Sequence, residues 1–249
     1  MKIVTWNMEV TNKHFKQGFE YIFNQNPDVV CLQEVSNQGL DYLKNTKFKV
    51  HNVCNAIGKN QKMHKVILTK NASKNHQTFI TFNKNIKRTT IRKIILKTLG
   101  ISELFHNAHY VDLGNNLRIF NLHQDAYAGP KKRIEQFEAV TNEFHPEKHN
   151  IVCGDFNSYG NLFFNSLLFP AINMPLNELK INEKKGLYKI FKKHNFQDIF
   201  KGHVTWPLLG ARLQIDHMLI PNKIKVNSKE VVKNRFTSDH RMLIADINL

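Results

Sequence analysis

Short apolar runs alternate with longer polar stretches along this chain, and several runs stop on an acidic or amide residue. Lys2-Ile3-Val4-Thr5-Trp6-Asn7 predicts a strand delivering Asn7, and Asp28-Val29-Val30-Cys31-Leu32-Gln33-Glu34 a strand delivering Glu34. Asn150-Ile151-Val152-Cys153 predicts a buried strand. Gly154 then lets the chain turn at its end, placing Asp155 and Asn157 at a sheet edge. Asp239-His240 stands just before a further strand, Met242 to Ile247. Acidic and amide groups repeated at strand ends are what a shared metal and phosphate site requires.

Between these runs, Phe15, Phe19, Ile22 and Phe23 recur at helical spacing over residues 15–24, and Asn26-Pro27 ends that helix. Residues 50–53, 66–68 and 78–82 read as short strands. The basic segment 85–99 fits either a strand followed by a turn or a short helix. Residues 108–113 and 116–122 flank Gly114-Asn115 as a hairpin. Gly129-Pro130 opens a helix over 131–144 with Ile134, Phe137, Val140, Thr141 and Phe144 on one face. Residues 187–194 predict a helix exposing Lys189, Lys192 and Lys193, and residues 214–220 a late strand. With no repeats or Pro/Gly-rich linkers, one domain over 1–249 is the economical reading.

Composition narrows the function classes. Thirty-six Lys and Arg against twenty Asp and Glu give a formal charge of +16, a field that favours polyanions, nucleic acid before anionic membrane. A Lys-, Asn- and Ile-rich composition also follows from base-composition drift. No apolar run approaches the roughly 18 residues of a membrane span. The N-terminus shows no signal peptide pattern. Three cysteines, Cys31, Cys54 and Cys153, read as reduced thiols in a reducing compartment, so an intracellular location is expected. A monomer is expected as well.

Trp6-Asn7, Leu32-Gln33-Glu34, Asn121-Leu122-His123, Gly154-Asp155-Phe156-Asn157, Ile215-Asp216-His217 and Ser238-Asp239-His240 occur in this order. The series resembles the endonuclease/exonuclease/phosphatase superfamily, which includes deoxyribonuclease I, the apurinic endonucleases and tyrosyl-DNA phosphodiesterase 2 together with sphingomyelinases and inositol polyphosphate 5-phosphatases. The resemblance runs from residue 2 to residue 247. It implies an α/β/β/α four-layer sandwich of two mixed, mostly antiparallel sheets packed face to face under outer helices. It also implies Mg2+ as cofactor, with Mn2+ as a substitute.

Residue by residue, the resemblance makes Glu34 the metal ligand, with Asp239 on the metal side. Asn7 either hydrogen-bonds near the metal or holds Asp155. Glu9, where relatives carry Asp, stands two residues from Asn7 and on a strand would share its side; the plain alternative is a solvated carboxylate. Asp155 would orient or deprotonate the attacking water, and Asn157 would donate to a phosphate oxygen. His240 would contact the scissile phosphate with Asp216 fixing its tautomer, and His123 would be a second phosphate contact. Arg133, one helical turn from Gln136, either braces the site or binds phosphate. Trp206 either packs or stacks on substrate, and Arg212, in the stretch leading to Asp216, is a further substrate-binding expectation. His217 reads as structural, and His14, His76 and His145 as surface residues.

The residue after Glu9 is Val10 rather than Gly, and Val35 replaces the Thr/Ser that follows Gln-Glu in apurinic endonucleases. Both departures weaken an abasic-site assignment. A nuclease or DNA-end phosphodiesterase acting on nucleic acid is the leading expectation. A lipid or inositol phosphoesterase and a catalytically idle binding module are the alternatives.

Overall fold

The computed structural model describes residues 1–59, 61–71, 73–81, 97–98, 100–114, 116–160, 178, 180–207 and 212–249. Its elements run β1 (Lys2–Asn7), α1 (Phe15–Asn24), β2 (Val29–Ser36), α2 (Asn37–Lys44), β3 (Lys49–Gly58), β4 (Lys62–Thr69), β5 (Asn75–Ile80), β6 (Ile101–Leu104) and β7 (Asn107–Leu113). They continue with β8 (Leu117–His123), α3 (Pro130–Thr141), β9 (His149–Asp155), α4 (Glu183–Lys193), β10 (Phe196–Asp198), β11 (Asp216–Pro221), β12 (Lys225–Val231) and β13 (Leu243–Asn248).

Two sheets result, ordered β12-β13-β1-β2-β4-β3-β6 and β10-β11-β9-β8-β7-β5. Among the described residues only the pairs β1–β2 and β8–β9 are parallel, so both sheets are mixed and mostly antiparallel. Three apolar layers hold the stack together. Between the sheets lie Ile3, Cys31, Ile67, Val111, Ile151, Cys153 and Met218. Phe19, Ile22, Leu40 and Leu43 of α1 and α2 cover the outer face of the first sheet against Val4, Val30 and Val66. Phe137, Val140, Leu187 and Phe191 of α3 and α4 cover the second against Phe120, Val152 and Leu219. The chain is a four-layer α/β/β/α sandwich.

Local chemistry explains the helix ends. The Ser36 hydroxyl accepts from Gly39 N–H at 3.1 Å and starts α2 directly off β2. Asn182 caps α4 by accepting from Lys185 N–H at 2.9 Å, with Glu183 in the first turn and Lys192 and Lys193 in the last, matching the helix dipole. Pro130 opens α3.

Elements missed in the sequence were short or polar. β12 is an edge strand reading Lys-Val-Asn-Ser-Lys-Glu-Val, largely exposed and broken by a bulge between Val226 and Ser228, so it carries no apolar alternation. β6 and β10 hold only four and three residues. Segment 85–99 lies outside the described residues except for 97, 98, and so does most of the basic stretch from 84 to 97. All three cysteines are free thiols, Cys31 and Cys153 buried. Among the described residues, no helix is long and apolar enough to cross a membrane.

Two expectations need correction here. Gly154 does not turn the chain: it lies inside β9, opposite Leu122, with φ +136°. A Cβ there would stand 2.0 Å from the Leu122 carbonyl oxygen, so the glycine is fixed by close backbone approach. His76 is not a free surface residue. Its Nε2 lies 3.1 Å from His109 Nδ1 and its ring centroid 5.0 Å from that of His51, where β3 meets β5 and β7.

This histidine stack is neutral near pH 7. Burial lowers all three imidazoles: His51 to about 4, with help from His76 and Lys49; His109 well below its ordinary value, with help from Lys65, His76 and His51; and His76 by burial alone. Because the folded values lie below the unfolded one, the stack's contribution is intact above pH about 6.5 and is lost as pH falls toward about 4. The urea midpoint should therefore drop between pH about 7 and about 5, and His109→Gln should flatten that drop. An unchanged slope in the variant would contradict the account. Gly154→Ala should cost more than about 2 kcal/mol in the same assay, given the clash and the unfavourable φ.

Candidate active site

The motif residues converge where β1, β8 and β9 end, β11 begins and β2 bulges. Asn7 closes β1, and its amide Nδ2 donates both to Glu34 Oε1 at 3.1 Å and to Asp155 Oδ2 at 3.0 Å. Glu34 is not at a strand end, as the sequence implied. β2 continues to Ser36, and a bulge between Leu32 and Val35 puts Glu34 at φ 53°. Such a bulge re-aims one side chain off the sheet. Here it turns the carboxylate toward Asn7, with Val10 N–H donating to it at 3.4 Å.

Glu9 likewise lies beyond β1, at φ 58°, so strand alternation does not align it with Asn7. Instead its backbone N–H donates to Asn7 Oδ1 at 3.1 Å, and Oε1 of Glu9 accepts from Thr11 at 2.9 Å. Asn157 leaves β9 in the same left-handed conformation, φ 47°, and its N–H donates to Asp155 Oδ1 at 2.8 Å. Its amide donates to the Gln124 carbonyl at 2.9 Å and to Asp155 Oδ2 at 3.3 Å, while Tyr159 OH donates to its Oδ1 at 3.1 Å. The amide expected to face a phosphate is thus turned inward and holds Asp155.

Asp155 is the hub, 1% exposed. His240 Nε2 stands 3.8 Å and His123 Nε2 3.7 Å from its Oδ2. His240 Nδ1 meets both oxygens of Asp216 at 3.1 and 2.9 Å, and Thr205 Oγ1 fixes that strand start by accepting from Ile215 and Asp216 N–H at 3.1 Å each. Burial alone would lower His240, but Asp216 and Asp155, the hydrogen bond to Asp216 and finally Asp239 reverse this and raise it to about 10. His240 is a cation with Nε2–H directed at the cluster. Burial, against the opposing charge of His240, raises Asp155, and Asp216 adds to the rise. Burial also raises Glu34, offset in part by Asn7 and His240.

His123 is the opposite case. Burial, with Lys65 and His240, lowers it to about 3, so its ring is neutral. Asn55 Nδ2 donates to its Nδ1 at 3.2 Å, which leaves the proton on Nε2, 3.6 Å from Glu34 Oε1. The site therefore presents one cationic and one neutral N–H donor.

Asp239 and His240 do reach one site from a tight turn, Asp239 Oδ1 lying 3.7 Å from His240 Nε2. Phe236 and Thr237 both have positive φ there, at 49° and 67°. The Ser238 hydroxyl bonds the Asn7 carbonyl at 2.8 Å and accepts from His240 N–H at 3.0 Å. Trp6 Nε1 reaches the His240 carbonyl at 3.4 Å. Gly18 in α1 makes room for that indole, since a Cβ there would meet it at 2.5 Å.

Asp155, Asp216 and His240 form a buried group whose ligand atoms lie within 4.8 Å of one another, close enough to share a metal ion. Both Asp216 oxygens are engaged by His240, however. Glu34, Asp155 and Asp239 offer the oxygen donors of a hard divalent ion on the less occupied side. The raised Glu34 and Asp155 fit such a tenant, for buried carboxylates crowd negative charge that a cation would offset.

The three substrate-binding expectations fare differently. Arg133 is wholly buried and pairs bidentately with Glu183, Nε to Oε1 at 2.6 Å and Nη2 to Oε2 at 2.8 Å, and also bonds the Ala128 carbonyl. It braces α3 against α4, with its guanidinium enclosed and paired away from the cluster. Trp206 is half-buried, and its Nε1 donates to Asp239 Oδ2 at 2.8 Å. Its indole N–H thereby positions the Asp239 carboxylate. Arg212 is exposed beside Leu213, the backbone partner of Trp206, and among the described residues no hydrogen bond or ion pair joins it to the cluster. His217 is structural, as expected, with Nδ1 2.8 Å from Asp198 Oδ2.

Sequence reasoning assigned no role to Gln33, Asn55, Asn121 or Thr205. Gln33 Nε2 donates to Asn121 Oδ1 at 2.7 Å, and Asn121 Nδ2 donates to the carbonyls of Leu32 and Val66 at 2.9 Å, tying the two sheets together beneath the site. The available signal was a polar residue inside an otherwise apolar strand.

With this geometry established, residues 4–240 match the model of the Endonuclease/Exonuclease/phosphatase family, and the chain belongs to that family. No curated protein sequence matches it significantly. Solved structures share its fold. An endonuclease/exonuclease/phosphatase family protein from Leptotrichia buccalis is 14% identical with TM-score 0.68 over all of both chains. A mannosyl-6-phosphatase from Bacteroides thetaiotaomicron is 14% identical with TM-score 0.70, again over all of both. D. rerio TDP2 complexed with a single-strand DNA product is 14% identical with TM-score 0.64, over 100% of this chain and 99% of that one. Identities this low establish the fold alone. Members of the family are metal-dependent phosphoesterases.

Removing Arg133 separates bracing from phosphate binding. Arg133→Ala leaves Glu183 charged and buried, and should cost about 3–5 kcal/mol in urea denaturation. A loss below about 1 kcal/mol together with a raised KM would restore the phosphate role.

Proposed function

We propose that this protein is a divalent-metal-dependent phosphodiesterase acting on nucleic acid, as a nuclease or DNA-end-processing enzyme. The observation that carries the reading is the joint placement of Asp155 and His240: a buried carboxylate facing an imidazolium locked by Asp216. Hydrolysis joins the oxygen of water to phosphorus, breaks one P–O ester bond and returns a proton to the leaving alkoxide.

Glu34 would hold Mg2+, with Asp239 and Glu9 as the further acidic groups on that side, and Mn2+ would substitute. When bound, the ion supplies Lewis-acid neutralisation of phosphate charge. Asp155, held by Asn7 and Asn157, orients the attacking water and takes its proton. His240 stabilises the extra negative charge of the transition state through Nε2–H. His123 donates its Nε2–H to a second phosphate oxygen. Asp216 sets the His240 tautomer and keeps it charged. The net charge of +16 favours a polyanionic substrate, nucleic acid before an anionic lipid surface.

Asp155→Asn and His240→Ala should each lower kcat/KM by about 10²–10⁴-fold on single-stranded DNA with magnesium. Glu34→Gln should lose activity that higher magnesium or manganese partly restores. Binding to the Asp155→Asn variant should weaken steeply with salt. Normal rates in all three variants would place the active site elsewhere, and turnover confined to lipid or inositol phosphates would overturn the nucleic-acid assignment.

A further inference from the structure

α4 holds five lysines in its eleven residues, against 36 Lys and Arg in the 249 of the chain, so basic charge is concentrated here and not merely spread by composition. Lys185, Lys189 and Lys192 stand at i, i+4 and i+7 and form one exposed stripe along the helix. The helix dipole does not account for them, since only Lys192 and Lys193 lie in the last turn. Glu135 and Glu138 of the adjoining α3 are exposed, but among the described residues neither forms an ion pair with these lysines. At its start α4 is joined to the catalytic turn: Glu183 pairs with Arg133, whose guanidinium lies 5.2 Å from the Tyr159 ring centroid, and Tyr159 donates to Asn157.

About 16 Å further along, at its foot, α4 reaches a cleft of about 590 Å³. This cleft lies where β9 begins, at the opposite end of that strand from Asp155. Phe144, His149, His194 and Phe196 line it together with Lys148 and Lys223. Lys148 is engaged by Asp112 at 2.8 Å, whereas Lys223 is exposed. Burial lowers His149 and His194, with Lys223 and Lys193 adding to the fall, so both rings are neutral near pH 7. Among the described residues no Asp or Glu lines the cleft, and the remaining residues of the chain contain neither. A lysine stripe leading to a cleft with neutral rings offers charge to a phosphate backbone and flat partners to unpaired bases. A surface that lies on lipid needs exposed apolar side chains as well, and the large ones among the described residues are Ile80 and Leu249, neither on α4.

We propose that the exposed face of α4 and the cleft at its foot form a second binding surface, remote from the catalytic cluster, that takes the backbone of single-stranded nucleic acid. It holds the part of a strand beyond the reacting phosphate and adds affinity without touching the chemistry. The proposal rests on the nucleic-acid reading above and adds where such a strand runs.

Fluorescence anisotropy of a labelled oligothymidylate of about 16 nucleotides on the Asp155→Asn protein measures binding without cleavage. Replacing Lys185, Lys189, Lys192 and Lys223 together by Gln should weaken binding about tenfold or more at low salt. It should also make the logarithmic salt dependence shallower by about 3. The same change at Lys16, Lys47, Lys49 and Lys70, exposed on and around the first sheet, removes equal charge and should do much less. Equal losses in the two sets, or an unchanged slope, overturn the proposal. Loss of binding to phosphatidylserine vesicles with oligonucleotide binding intact overturns it in favour of a lipid surface. With otherwise wild-type protein, cleavage of a dinucleotide together with an unchanged slope would end this proposal and leave the phosphodiesterase reading standing. Oligonucleotide binding that depends on the α4 lysines, without any nuclease activity, would do the reverse.

Discussion

One amide holds the two halves of this molecule in functional register. Asn7 ends a strand of the seven-stranded sheet, and its Nδ2 donates to Glu34 of that sheet and to Asp155 of the other. Two buried carboxylates would otherwise repel across the seam. A neutral double donor lets them sit side by side, and Gln33 with Asn121 repeats the device one layer below. Apolar packing presses the sheets together but has no direction. These amides supply the direction, so the carboxylates meet at one point.

Strain is concentrated where aiming matters. Glu9, Glu34, Asn157, Phe236 and Thr237 all take positive φ, and each lies in or beside the cluster. Such conformations cost of order 1–3 kcal/mol per residue and persist only where the surroundings over-determine them. The surroundings are visible: Glu9 N–H on Asn7, Asn157 N–H on Asp155, and Ser238 on Asn7 and His240. The result is a single cationic donor, His240, and a neutral one, His123, on either side of Asp155. The asymmetry follows mainly from Asp216, which hydrogen-bonds one imidazole and not the other, with Asp155 and Asp239 adding to the rise of His240 and Lys65 and His240 adding to the fall of His123.

Much of this was legible in the sequence. Apolar runs marked the strands that carry Asn7, Glu34 and Asp155, and amphipathic spacing marked α1 and α3. The ordered motifs named Asp216 and His240 as partners. Backbone detail was not legible. A bulge at Glu34 and the turns at Glu9 and Asn157 look like ordinary strand endings, because side-chain alternation carries no sign of φ. Arg133 was ambiguous for a related reason: its partner Glu183 lies fifty residues away, so only the fold shows that the guanidinium is enclosed. Edge strand β12 escaped because an exposed polar strand has no periodicity to detect.

Charge acts at two scales here. The chain as a whole is strongly basic, while among the described residues the pocket beside Glu34 is lined chiefly by acidic and apolar side chains. The central proposal is that a divalent cation binds at Glu34 and Asp239, beside Asp155, at a phosphoesterase centre. Titration with Mn2+ followed by amide NMR tests it most directly, because paramagnetic broadening falls off steeply with distance from the ion. The account predicts that signals around Asn7, Glu34, residues 154–157 and Asp239 broaden first and return when excess Mg2+ is added. Broadening centred elsewhere, or none at stoichiometric metal, would contradict it.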